Sequence, residues 1–301
     1  MNALGVDVGL VEVIAVSGYG WITNAMKKNL CPSAPSAFHG DIWMNNYRAT
    51  ENIGYKIDVI GSGGFEWDDK QKPTPDSVIN AKKQFEVVKK EIESNRPVVM
   101  WGIPIPEYGI VNGYRGEEYI VSTLWSLVGQ SDNPIHYAGL MAPGGLTILR
   151  FAESKELDPR KVVEDTLRRG YRLGIGDVPQ IPEYVLGPDA NNLIAKNLTE
   201  ELFDDASYHG TAYTMACLME SKGAIAEYLK NVDAVVDPSL SDVADKYEAL
   251  HKILQKCHEE FPIGPGEMLQ AKIVKLAGLL REAKKVELEA LEGLKKALDD
   301  L

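Results

Sequence analysis

Apolar residues follow two rhythms along this chain, and the rhythm changes close to Phe151. Ahead of it they alternate in short runs broken by glycine and proline; after it they recur every three or four residues over long stretches. A period of two sends side chains to opposite faces of a strand, whereas spacings of three and four gather them on one face of a helix. The pattern predicts an α+β domain over residues 1–151 followed by an all-helical domain over 152–301.

In the first domain GYKIDVIG, from Gly54, sets Tyr55, Ile57 and Val59 on alternate positions, and RPVVMWGI, from Arg96, is a short apolar run behind a proline; both read as strands. Between them Val78, Ala81, Phe85, Val88 and Ile92 mark an amphipathic helix, with Asp76 or Ser77 as its N-cap. YGIVNGYRGEEYIVST reads as a hairpin turning at Arg115 and Gly116, and GGLTILRF as a further strand. The stretch from Thr123 to Pro143 reads as a long irregular loop.

In the second domain Val162, Val163, Leu167 and Tyr171 share a helical face, and three or four further helices follow a proline-rich joint, DVPQIPEYVLGP. Helices of this length make a bundle. GPGE at Gly264 reads as the start of the last one. That helix carries Ile273, Leu276, Leu280, Ala283, Leu288, Leu291, Leu294 and Leu298 as a stripe, read as core or an intramolecular seam, with self-association through the helical domain as the alternative.

Composition narrows the partners. A net charge of −12 repels phosphate backbones and anionic headgroups, so neither nucleic acid nor a membrane surface is expected. No apolar run approaches the ~20 residues of a membrane span, and no positive leader precedes VGLVEVIAV; a cytoplasmic protein without signal or anchor is the expectation. Cys31, Cys217 and Cys257 form no CxxC pair, and the five histidines show no metal-ligand spacing, so neither disulfides, a metal nor a cofactor is expected.

Three blocks carry a family resemblance. EYGIVN running into GYRGEEYIV resembles a strand of papain-like cysteine peptidases of the bacteriocin-processing type. SGYGWITNAMKKNLCPSAPSAF, Ser17 to Phe38, resembles proteins related to the N-terminal domain of butirosin biosynthesis protein H, and YHGTAYTMACLMESKGAIAEYL resembles the helical part that follows it in those proteins. The resemblance implies a papain-like antiparallel-sheet domain with a helical appendage, and acyl transfer or amide hydrolysis through a thiolate activated by histidine.

The catalytic pattern itself is not carried over. The implied histidine position falls on Glu107, ahead of Tyr108; the orienting Asp or Asn falls around Ser122 and Thr123; the nucleophile would precede ALGVDVGL, upstream of Met1. A carboxylate cannot serve as the cationic partner of a thiolate. The expectation is therefore a degenerate, non-catalytic relative that binds a small molecule or peptide in the residual cleft, lined by Ser17, Tyr19, Trp21, Trp101, Glu107 and Tyr108. A cysteine-dependent acyltransferase or amidase acting through Cys31, with His39 and Glu107 as the other candidate catalytic residues, or through a cysteine upstream of this chain, is the alternative. A structural or regulatory subunit associating through its helices is a third reading.

Overall fold

The computed structural model describes residues 8–27, 49–127, 129–153, 156–179, 181–200, 205–236 and 239–301. Cys31 and His39 lie outside the described residues. The chain opens with helix α1 (Leu10–Val16), a 3-10 turn (Tyr19–Trp21) and strand β1 (Asn24–Met26). After a second 3-10 turn (Thr50–Ile53) come β2 (Tyr55–Gly63), α2 (Pro75–Glu93), β3 (Val98–Trp101), β4 (Tyr108–Arg115), β5 (Glu118–Ser122), α3 (Leu124–Leu127), β6 (Ile135–His136) and β7 (Leu146–Glu153). The rest is α4 (Pro159–Gly174), β8 (Tyr184–Leu186), α5 (Asp189–Glu200), α6 (Asp205–Val232), α7 (Ser241–Glu260) and α8 (Gln270–Asp300).

These elements form two compact units, Tyr55–Lys155 and Val8–Gly54 with Glu156–Leu301. The change of texture at Phe151 lies near the point where the chain enters the helical unit for the second time. The described residues 8–27 and 49–54, placed with the sheet by the sequence reading, belong to the helical unit instead. The reason is apolar burial: Ala15, Val16, Trp21, Ile22 and Ala25 share one core with Leu167, Ile194, Ile225, Tyr247 and Leu280.

The sheet unit is a six-stranded antiparallel sheet in the order β2-β7-β3-β4-β5-β6. Alternation along the strands turns Val98, Met100, Val111, Tyr119 and Ile148 inward, where they pack with Ala81, Phe85 and Val88 of α2. Helix α2 starts earlier than its sequence suggested. Thr74, not Asp76 or Ser77, is the N-cap, accepting the Ser77 N–H at 3.3 Å, because Pro75 fills the first helical position, where no donor is needed. The β4–β5 hairpin turns on Gly116 at φ 61°, in the left-handed region that glycine enters freely. The loop after β5 contains the short α3 and the two-residue β6.

In the helical unit α4 to α8 surround the shared core, and α6, α7 and α8 are its longest members. The proline-rich joint adds β8, which pairs antiparallel with β1, setting Asn24 opposite Leu186. Two expectations for α8 change. It starts at Gln270, with residues 264–269 outside the helix, so GPGE is not its first turn. Its stripe runs through Glu287, which is 1% exposed, while Leu288 is 42% exposed. A period of 3.6 carries Leu280 and Ala283 on to position 287 and then to Leu291, leaving 288 on the outer shoulder. Among the described residues no helix is long and apolar enough to cross a membrane.

Candidate functional site

Within the sheet unit, register brings three of the predicted site residues together. Trp101 ends β3 directly opposite Tyr108, which begins β4, and their rings lie 5.1 Å apart at 56°. The intervening chain folds back tightly. The N–H groups of Gly102 and Ile103 donate to the Glu107 carbonyl at 2.9 and 3.3 Å, and the Glu107 N–H donates to the Ile105 carbonyl at 2.6 Å.

This turn is pinned to the segment before β7. Trp101 Nε1 donates to the Pro143 carbonyl at 3.2 Å, and the Met141 N–H to the Gly102 carbonyl at 2.9 Å. Gly102 has φ 90°, and a Cβ there would stand 2.6 Å from that of Ala142, so both conformation and space require glycine. The result is an exposed Glu107 at the strand entry, one residue ahead of Tyr108 in a half-buried aromatic pair. Partial loss of hydration raises the Glu107 pKa above the usual carboxylate value.

At the far end of β5, Thr123 donates through Oγ1 to Asp132 Oδ1 at 2.5 Å and through its N–H to Oδ2 at 3.1 Å. These bonds hold the Asp132 pKa below its ordinary value. Ser122 pairs with Ile110, two residues into β4 from its start, so this carboxylate belongs to the Glu107 end of the hairpin. Sequence reasoning, confined to Ser122 and Thr123, missed Asp132; the signal available was a lone acid in the loop nine residues on. The sequence of this unit contains no cysteine, and its one described histidine, His136, sits on β6, 3.4 Å from Glu117.

The other three predicted lining residues, Ser17, Tyr19 and Trp21, lie in the helical unit. Ser17 Oγ donates to the Ile14 carbonyl at 3.2 Å and accepts the Tyr19 N–H at 3.4 Å, fixing the turn out of α1. The Tyr19 phenol lies beside the Cys217 thiol, and burial foremost, then Cys217, pushes its pKa far above the usual range. Trp21 is a core residue rather than a lining one: it is fully buried, edge-on to Tyr247 at 5.6 Å, with Nε1 donating to the Ala15 carbonyl at 3.0 Å. Its volume and single polar atom are both satisfied inside the bundle, which removes it from any cleft.

Directly below this turn lies a buried ionic knot that the sequence reading did not single out. Lys222 Nζ points at the carbonyls of Gly20, Trp21 and Ile22 at 3.3, 3.1 and 3.1 Å and at Glu287 Oε1 at 3.1 Å. Glu287 also accepts from Thr23 Oγ1 at 2.5 Å and Asn191 Nδ2 at 2.9 Å. Burial lowers the Lys222 pKa, opposed by the Glu287 charge. The knot ties the N-terminal segment to α5, α6 and α8.

Cys257 lies in the core, where burial pushes its thiol up to about 12 and makes the thiolate scarce. Among the described residues no group of three or more His, Cys, Asp or Glu side chains is arranged to hold a metal ion. No protein-family model matches this chain, and no curated protein matches it significantly.

Proposed function

We propose that this chain is a papain-like protein without a working cysteine centre, which holds a small molecule or peptide against Trp101, Glu107 and Tyr108. The observation that carries this reading is the exposed Glu107 at the entry to β4, next in sequence to the Tyr108 of an aromatic pair, where the resemblance implies an imidazole. A carboxylate there attracts a cationic group and the adjoining rings stack with it, whereas neither takes a proton from a thiol to leave an ion pair. Asp132 supports the papain-like part of the reading, since it supplies a carboxylate at the end of the hairpin where an orienting group is implied.

Tryptophan fluorescence tests it. Titration with the capped tripeptides Gly-Lys-Gly and Gly-Glu-Gly is expected to give a saturable change with the lysine peptide only. Glu107→Gln is expected to weaken it several-fold, and Trp101→Phe to remove the signal. The competing reading is thiol chemistry through Cys31. Rapid alkylation of Cys31 at neutral pH, with amide or thioester turnover lost in Cys31→Ser, overturns the non-catalytic assignment.

A further inference from the structure

The helical unit contains an apolar pocket of about 720 Å³, walled by α1, the 3-10 turn at Thr50–Ile53, α4 and α6. Its interior is aliphatic: Val11, Val16, Ile53, Val162, Val163 and Val232 all line it. None of these side chains offers a hydrogen bond, so the interior selects for hydrocarbon. The volume falls within the range of small-ligand sites.

The polar lining is sparse and of one sign. Glu12 of α1 and Glu227 of α6 are the only charged residues on the wall, both are exposed, and among the described residues neither is in an ion pair. The nearest lysine along α6, Lys230, is committed to Glu248. Asn52 and Asn231 add neutral amides, and the Tyr228 phenol lies close enough to Glu12 to feel its charge. An occupant therefore meets aliphatic walls and a rim bearing two glutamates that no described cation pairs with.

We infer that this pocket binds an aliphatic amine, its hydrocarbon tail among the valines and its ammonium at Glu12 and Glu227. A fatty acid of the same length fits the walls equally well but brings its carboxylate against two others. A neutral alcohol of that length gains the burial and loses the charge attraction. The inference concerns the helical unit and is independent of the reading of Glu107.

Calorimetric titration of the full chain with n-octylamine, octanoate and 1-octanol at neutral pH and low salt tests it. Octylamine is expected to bind saturably and more tightly than octanol, with octanoate weakest. Glu12→Gln/Glu227→Gln is expected to weaken octylamine about two- to thirtyfold while leaving octanol unchanged, the range that two exposed ion pairs span. Because both glutamates are exposed, the variant keeps its fold, checked by circular dichroism. Val162→Trp, filling the pocket from its half-buried rim, is expected to abolish all binding. Equal affinity for octanoate, amine binding untouched by the double variant, or no saturable binding at all overturns the assignment.

Discussion

Removing the amine of Lys222 strands the Glu287 carboxylate and three backbone carbonyls in a dry core, so Lys222→Met is expected to destabilise the helical unit by about 3–5 kcal/mol. The double change Lys222→Met/Glu287→Leu removes both charges and is expected to recover most of that loss; urea unfolding of the two variants and the parent measures the difference. Gly170 is equally constrained by its surroundings. A Cβ there would stand 2.4 Å from the Trp21 indole, and the ring, wedged against Tyr247, cannot retreat. Gly170→Ala is expected to cost about 1–3 kcal/mol and to shift tryptophan emission. The sequence showed Trp21 as an aromatic in a glycine-rich turn and placed it at a cleft. Its burial depended on α4 offering a glycine 149 positions later, which no local pattern reveals.

Periodicity reads α8 well because a helix repeats its own geometry, yet it misplaced one member of the stripe. Leucine at 288 looked like the core residue, while the 3.6-residue turn puts Glu287 inward and the lysine on α6 makes that tolerable. The seam between α6 and α7 carries a further set of charges at its exposed edge. Glu248 of α7 is clasped by Lys230 of α6 and by Lys252 at 2.6 Å, and hydrogen bonds from the two lysines depress its pKa from 4.5 to about 2. A carboxyl with a depressed folded-state pKa contributes stability that is fully present above its unfolded value and is lost as pH falls through the folded one. The stability difference between the parent and Glu248→Gln is therefore expected to be largest above pH 4.5 and to vanish towards pH 2 in urea unfolding across that range. At the sheet, strand alternation and Gly116 gave the hairpin, but the partner of Thr123 came from a loop that no periodicity marks.

Each unit has its own apolar core, one centred on α2 and the sheet, the other on the helices together with Ala15, Val16 and Trp21. A fragment of residues 156–301 lacks the three carbonyls that receive Lys222 and the indole that fills the space over Gly170. It is expected to lose cooperative unfolding, whereas the same fragment supplied with residues 8–54 recovers it; calorimetry of both distinguishes the outcomes. The sequence by itself determined the classes of element, the hairpin that turns at Arg115 and Gly116, and the presence of Glu107 ahead of the Tyr108 strand, because these depend on spacing within a few residues. Tertiary structure alone decided that residues 8–27 join the helices, that Trp101 pairs with Tyr108, that Trp21 is core, that Asp132 reaches Thr123 and that a charged knot sits inside the bundle. Those outcomes depend on which distant surfaces exclude water together, and solvent exclusion between remote segments leaves no period in the chain.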